Sequence, residues 1–361
     1  MNTQENRLDF SVYANKNVVF LFGPTAVGKT ALLQSFFSEG YEVVNADSVQ
    51  VYKNLNIGSA KADPGMVPRH HLVDILEPWE SFNVATFVRL ADEACSDIIS
   101  RGKTPVLSGG TAYYFKHFLY GLSEAPEASP EVRRDVASFM ESEGKDGAFD
   151  YLRSVDPESA RKIHPNDVYR VSRAIEVFRQ TGRPLSSFKV PSVPRGGMRP
   201  LIIGLYREKA ELDERIRLRV DMMFKEGLVE EVRSLISMGA SSAWQSMQAI
   251  GYREFISAIE RDNDESDKAE DGARECLNES SPRVCSNCDA GKTENAADGI
   301  RRRLSRLELL DFGEIREEII MNSIHYAKRQ NTFFNSFHDV KRIHAEDTET
   351  LKKILNAALE E

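Results

Sequence analysis

The residues best suited to chemistry come early: Gly23-Pro24-Thr25-Ala26-Val27-Gly28-Lys29-Thr30 directly follows the apolar run Val18-Val19-Phe20-Leu21-Phe22. In Gly-x-x-x-x-Gly-Lys-Thr the glycines let successive backbone N–H groups turn inward around a phosphate, and the helix that follows presents its positive end to the same anion. Lys29 adds a point charge for a terminal phosphate, and the Thr30 hydroxyl is placed to meet Mg²⁺. The context is the required one, with a buried strand before the motif and a helix start, Ala31-Leu32-Leu33-Gln34-Ser35-Phe36-Phe37, after it. Binding of a di- or triphosphate is the expectation. A second candidate is Asp47, in Asp47-Ser48-Val49-Gln50-Val51-Tyr52, just past a short strand expected over 41–46. A carboxylate at the carboxyl end of a strand in an α/β sheet lies where such sheets bind ligands. An aspartate there can equally be a turn or cap residue, and both readings stay open.

Several elements must position these groups. Asn83 can cap a helix running to Arg101, with Phe87, Leu90, Ala94 and Ile98 inward and Gly102 as its stop. Pro105-Val106-Leu107 reads as a strand, and Gly109-Gly110-Thr111 as a second strand-to-helix glycine turn leading into Tyr113-Tyr114-Phe115. Two such turns would line one edge of a parallel sheet. From about Gly121 strands vanish. Pro165-Asn166-Asp167 starts a helix with Val168, Val171, Ile175 and Phe178 on one stripe, Arg170 and Arg173 off it, and Thr181-Gly182 at its close. Residues 191–200, rich in Pro, Gly and Arg, lead back to a strand at Leu201-Ile202-Ile203-Gly204-Leu205. A helix over 210–226 turns Leu212, Ile216, Val220 and Met223 inward and carries Arg215 and Arg219 on another face. Gln248-Ala249-Ile250-Gly251-Tyr252-Arg253 is a loop-to-helix boundary with an aromatic and a cation. A last helix runs from Ile319 to Phe334.

The fold class that follows is α/β, a P-loop NTPase-like parallel sheet flanked by helices, with an all-helical domain inserted into it. The expected division is 1–120 as the first part of the core, 121–195 as the insert and 200–260 as the second part. An acidic, mobile insertion over 261–314 and a helical end of the core over 315–361 complete it.

Across 361 residues the formal charge is −9, which argues against a protein that binds nucleic acid through its overall charge. The average hides an asymmetry. Residues 151–199 carry ten Lys/Arg against four Asp/Glu, whereas 261–318 carry ten against sixteen. The first segment could face a polyanion; solvated helix faces are the plainer reading of charge alone. Four cysteines make no disulfide scaffold in a chain this long and suit a reducing compartment. Cys276, Cys285 and Cys288 leave a zinc tetrad one ligand short. His70 and His71 are adjacent, so they point apart on a strand and read as structural. Residues 1–17 lack the apolar core of a signal peptide and no apolar run reaches membrane-spanning length, so a cytoplasmic protein without a membrane partner is expected.

Taken together, the P-loop, Asp47-Ser48-Val49-Gln50-Val51-Tyr52, Ile57-Gly58-Ser59-Ala60-Lys61, His70-His71-Leu72-Val73-Asp74, Gly109-Gly110-Thr111, His164-Pro165-Asn166-Asp167, Gly251-Tyr252-Arg253 and Tyr326-Ala327-Lys328-Arg329-Gln330 resemble the tRNA dimethylallyltransferases, also called isopentenyl-tRNA transferases. The motifs occur in that family's order and span nearly everything but the amino-terminal extension and the acidic segment. The resemblance implies transfer of a dimethylallyl group from its diphosphate to the exocyclic amine of the adenosine 3′ to a tRNA anticodon, with the helical insert binding the anticodon stem-loop. It implies Asp47 as the base, and Lys29, Thr111 and Arg219 beside it in the catalytic centre. Gly23, Pro24, Thr25, Ala26, Val27, Gly28, Lys29 and Thr30 would hold the donor diphosphate, with Mg²⁺ on Thr30. Asp47, Ser48, Val49, Gln50, Thr111, Arg133, Tyr169, Arg170, Val171, Ser172, Arg173, Gln248, Ala249, Ile250, Gly251, Tyr252 and Arg253 would contact the tRNA, and the protein would act as a monomer. Two features depart from the pattern: Asn335 follows Thr332-Phe333-Phe334 where many relatives have Trp-Phe-Arg, and the 261–314 stretch has no usual counterpart. Prenylation of free adenine nucleotide, a P-loop kinase or NTPase, and an RNA-binding protein with a degenerate site are the competing readings.

Overall fold

The computed structural model describes residues 10–37, 40–63, 65–261 and 296–360. They form two compact units, one made of the residues up to Lys116 and from Gly196 onward, the other of His117–Arg195.

The first unit is built on six parallel strands: β1 (Asn17–Phe22), β2 (Tyr41–Asn45), β3 (His70–His71), β4 (Thr104–Gly109), β5 (Arg199–Tyr206) and β6 (Lys341–His344). Their order across the sheet is β3-β2-β4-β1-β5-β6. β1 lies between β4 and β5, and five of its six residues are buried. This is why it reads as an unbroken apolar run: parallel strands covered on both faces have no polar side to show. One face carries Leu32 and Leu33 of α1 (Lys29–Phe36) and Leu212 and Ile216 of α7 (Lys209–Glu226) against Val19, Leu21, Val106 and Ile203. The other is aromatic. Phe334, at the end of α10 (Phe312–Phe334), stacks on Phe22 at 4.1 Å between centroids, and Phe115 of α3 (Ala112–Tyr120) meets both rings edge-on.

The structure shifts several expected details. Helix α2 (Val84–Ser100) is capped by Asn83 through the Thr86 N–H, but it buries Phe87, Val88, Ala91, Asp92, Cys95 and Ile98 rather than the Leu90 and Ala94 stripe. Asp92 hides the true seam from a hydropathy reading, because it is a charged residue buried with a hydrogen bond accepted from the Tyr13 hydroxyl at 2.6 Å. Strand β6 escapes a pattern reading as well: in Lys341-Arg342-Ile343-His344 only Ile343 is buried, as suits an edge strand blunted by charge. The last part of the 261–314 segment is helical. It contains α9 (Ala296–Leu307) and the first residues of α10, which begins at Phe312 rather than Ile319 because Asp311 caps the N–H groups of Gly313 and Glu314. Cys276, Cys285 and Cys288, and the mobility expected around them, lie outside the described residues.

The second unit is all-helical, with its own core of Val136, Ala148, Leu152, Val171, Ala174 and Ile175. These side chains come from α4 (Pro130–Val155), which is interrupted at Gly144, and α6 (Val168–Thr181); α5 (Pro157–Lys162) lies between them in the chain. Asp167 caps α6 and Gly182 ends it in the left-handed conformation. Val168 stands exposed at the first turn, so the buried stripe runs through Val171, Ala174, Ile175 and Val177 instead of Val168 and Phe178.

Among the described residues no helix is long and apolar enough to cross a membrane.

Candidate active site

Strand register brings the candidate residues to one sheet edge. Phe22 pairs with Gly109 and Asn45 with Ser108, so the turns that follow β1, β2 and β4 emerge side by side at the carboxyl ends of the strands. These turns are the P-loop, the Asp47 segment and Gly110-Thr111. The approach is tight: a methyl group on Gly109 would sit 2.2 Å from the Ala46 carbonyl oxygen, so no larger residue fits between β2 and β4 there. The three turns open on a cavity of about 470 Å³, whose walls include Lys29, Thr30, Asp47, Gln50, Arg219 and Gln330.

The P-loop is held in a cradle-like conformation. Ala26 has φ 62° and Gly28, which precedes the first turn of α1, has φ 112°. Backbone in this alternation forms the concave N–H arrays that bind anions. Lys29 Nζ donates to the carbonyls of Gly23 at 2.8 Å and Pro24 at 2.9 Å. From α7, Arg219 donates to the Thr25 hydroxyl at 2.9 Å, and Arg215 reaches the Ala26 carbonyl at 2.9 Å. Burial, and secondarily the Arg219 charge, pull the Lys29 ammonium from its ordinary 10.5 down to about 7, against the Asp47 carboxylate, which raises it. Burial also lowers Arg219. Two cations crowded into a desolvated loop are a strained arrangement that an arriving diphosphate would relieve.

Asp47 fills both roles left open by its position. Its Oδ1 accepts from the backbone N–H groups of Val49 at 2.9 Å and Gln50 at 3.3 Å, closing an Asx turn. Its Oδ2 lies on the Gly110 side, 3.7 Å from where a Gly110 methyl would be. Thr111 sits behind it, its hydroxyl accepting from the Ser48 N–H at 3.1 Å and donating to the Ser48 hydroxyl at 3.3 Å.

The opposite wall is a loop over residues 56–60. Glu231, on α8 (Leu228–Ser237), accepts from the N–H groups of Asn56 and Ile57 at 2.8 Å and Gly58 at 3.0 Å, and from the Tyr252 hydroxyl at 2.7 Å. The loop in turn offers its Ser59 and Ala60 carbonyls to the Gln50 side-chain amide, both at 3.1 Å, and the Ser59 carbonyl to Arg219 at 3.4 Å. Tyr252, expected to meet RNA, is instead fully buried, and burial together with Glu231 raises its hydroxyl well above the ordinary tyrosine value. It is a post for the loop. Gln248, Ala249, Ile250, Gly251 and Arg253 do line the cavity, with Gly251 and Arg253 held by the buried Glu254.

Arg133 and the residues 169–173 belong to the helical unit. Tyr169 is 78% exposed, and Arg170 projects beside Asp167 at 3.4 Å. Arg173 donates to the Pro126 carbonyl at 2.7 Å, Arg133 lies 3.5 Å from Glu127, and the Ser172 hydroxyl turns back to the Tyr169 carbonyl. Val171 is buried in that unit's core and presents no side chain to a ligand.

Three contributors were not among the expected site residues. Gln330 and Tyr326 share the Gly110 carbonyl, at 2.6 Å and 3.3 Å, and burial pushes the Tyr326 hydroxyl up to about 12. Glu231 sits in an ordinary amphipathic helix. The only hint for the first two was their place in the Tyr326–Gln330 run. His70, read as structural, also lines the cavity, while His71 pairs with the buried Glu42 at 2.7 Å.

For Mg²⁺ the donor set is thin: among the described residues no group of three His, Cys, Asp or Glu side chains could hold a metal. Such a site would suit an ion carried mainly by substrate phosphates and water, to which Thr30, at the cavity wall, would add one hydroxyl.

Known proteins similar to this chain point to one family. A family model described as IPP transferase matches residues 50–283. A tRNA dimethylallyltransferase from Borrelia hermsii is 42% identical over 66% of this chain and 80% of its own. Another from Borreliella burgdorferi is 34% identical over 94% of this chain and 95% of its own. The crystal structure of a tRNA isopentenylpyrophosphate transferase from Bacillus halodurans superposes with a TM-score of 0.56 at 31% identity, covering 95% of this chain and 94% of that one. A eukaryotic dimethylallyltransferase acting on tRNA shares the fold at TM-score 0.64 and 24% identity, covering 95% of this chain and 77% of that one.

Proposed function

The chain belongs to the IPP transferase family, and from that membership we propose its reaction: transfer of the dimethylallyl group from dimethylallyl diphosphate to the N6 amine of the adenosine at tRNA position 37, next to the anticodon. The observation that carries this reading is that the phosphate cradle and the free side of Asp47 face one cavity. In the proposed step the adenine N6 attacks C1 of the allyl group while the C1–O bond breaks and its electron pair leaves with diphosphate. Adenine's amine is a weak nucleophile because its lone pair is shared with the ring, so loss of its proton must accompany bond formation. Asp47 Oδ2 takes that proton. Lys29, Arg219 and the P-loop N–H groups meet the charge that grows on the departing diphosphate. Mg²⁺, held by the diphosphate and Thr30, would neutralise part of that charge when bound.

An adenine must leave its stack to enter such a cavity. The exposed Tyr169 and Arg170 of the helical unit and the wall formed by Gln50, Gln248 and Arg253 are the groups that would grip the surrounding RNA. A tRNA acceptor supports a cytoplasmic setting.

The test is direct. Purified protein is given dimethylallyl diphosphate and Mg²⁺ with unmodified tRNA or with AMP, and the products are located by mass spectrometry of nucleosides. Isopentenyladenosine beside the anticodon is the expected result. Preference for AMP, or ATP turnover without prenyl transfer, would replace this reading.

A further inference from the structure

We propose that Gln330 is a positioning residue that sets the spacing between the diphosphate cradle and the Asp47 side of the cavity, and thereby determines whether adenine or water receives the dimethylallyl group. The proposal rests on the transfer reaction described above.

Gln330 is 3% exposed, and its amide is used at both ends. Its Oε1 accepts from the Thr25 N–H of the P-loop at 2.9 Å, while its Nε2 donates to the Gly110 carbonyl at 2.6 Å. Only this orientation of the amide satisfies both partners, since one is a donor and the other an acceptor. The two partners lie on the turns after β1 and β4, one forming the donor side of the cavity and the other flanking Asp47. Space is filled as well as bonded: a methyl group on Gly110 would lie 2.6 Å from Gln330 Nε2 and 3.7 Å from Asp47 Oδ2, so amide, glycine and carboxylate are contiguous. The strut is anchored one helical turn later, where Phe334 stacks on Phe22 at the end of β1. Both ends of the amide grip main chain, so the separation it sets does not depend on another side chain's rotamer.

That separation matters because two nucleophiles compete for C1. Attack by adenine N6 gives the modified adenosine, diphosphate and a proton taken by Asp47. Attack by water gives dimethylallyl alcohol, diphosphate and a proton. Each route releases one diphosphate, so the ratio of diphosphate released to adenosine modified reports which nucleophile arrives. Misplacement of reacting groups by an ångström costs on the order of 100-fold in rate, whereas water, being small and mobile, loses far less.

The experiment measures that ratio with full-length protein, tRNA and dimethylallyl diphosphate. Wild type is expected near one. Gln330→Met, which keeps the side chain's bulk and loses both hydrogen bonds, should slow transfer by about 10- to 100-fold and raise the ratio several-fold. Gln330→Glu separates the two ends. Near pH 8 its carboxylate still accepts from Thr25 but faces the Gly110 carbonyl without a proton. Near pH 6 a buried carboxylic acid, its pKa raised by burial, donates to Gly110 as the amide did. Its ratio should therefore fall towards the wild-type value as pH drops, with that of Gln330→Met unchanged. A partly unfolded preparation lowers both products together and leaves the ratio alone. Variants that are slow but stay near one diphosphate per adenosine would overturn the proposal. A wild type that modifies no adenine would overturn the underlying reaction, and this shows before any variant is compared.

Discussion

Asp47 divides its two oxygens between structure and chemistry, and that division makes its role separable by mutation. An asparagine in its place would keep an acceptor for the Val49 and Gln50 N–H groups while losing the base. Asp47→Asn should therefore lower turnover about 100-fold or more while tRNA affinity stays within a few-fold, as single-turnover rates and filter binding would show. Lys29 leads to a prediction about protons. In the ligand-free protein its pKa of about 7 leaves it largely neutral near pH 8, whereas a bound diphosphate restores the charge. Donor binding near pH 8 should thus take up close to one proton, and near pH 6, where Lys29 already carries its proton, this uptake should vanish. Calorimetry in buffers of different ionisation enthalpy reads the number directly, and Lys29→Met should abolish it. At this scale the sequence showed the acid and the lysine as types. The oxygen of Asp47 left free follows from the turn its neighbours Val49 and Gln50 close, and how far the lysine is desolvated depends on Arg219 and other groups far away in the chain.

Among the elements, the 56–60 loop depends most on its surroundings. It has no regular structure of its own, and its amides converge on Glu231, with the Tyr252 ring filling the space over Gly58. A methyl group on Gly58 would lie 2.6 Å from that ring, which explains the glycine without any appeal to a ligand. Glu231→Ala removes a charged acceptor of four hydrogen bonds and should cost about 2 kcal/mol of stability, read by urea denaturation. It should also raise KM for tRNA more than KM for the prenyl diphosphate, because the loop buttresses Gln50 directly and the P-loop only through Arg219. Equal effects on both would mean that the loop is scaffold alone. Motif spacing pointed to the Ile57–Lys61 run as a unit but said nothing of what holds it.

For the whole molecule, most of the basic 151–199 stretch lies in the helical unit, which is itself balanced at twelve Lys/Arg against twelve Asp/Glu because its first half is acidic. Arg170 is exposed there with Asp167 beside it at 3.4 Å, so a phosphate would meet it with little desolvation. Arg170→Ala should weaken tRNA binding and reduce the slope of log K against log salt by about 1; an unchanged slope would remove that face from the RNA contact. Short windows of sequence were enough for the parallel α/β class, the glycine-rich turn after β1, the ends of α2, α6 and α7 and the helical insertion, because each rests on periodicity or on a motif whose parts are neighbours in the chain. Only tertiary structure decided that β4 separates β1 from β2, that a charged edge strand closes the sheet, that Tyr252 serves as a buried post, and that Gln330 bridges to Thr25 across 305 positions. Those facts come from pairing and packing between distant segments, where a polar residue reveals its purpose only through the partner that satisfies it when water is excluded.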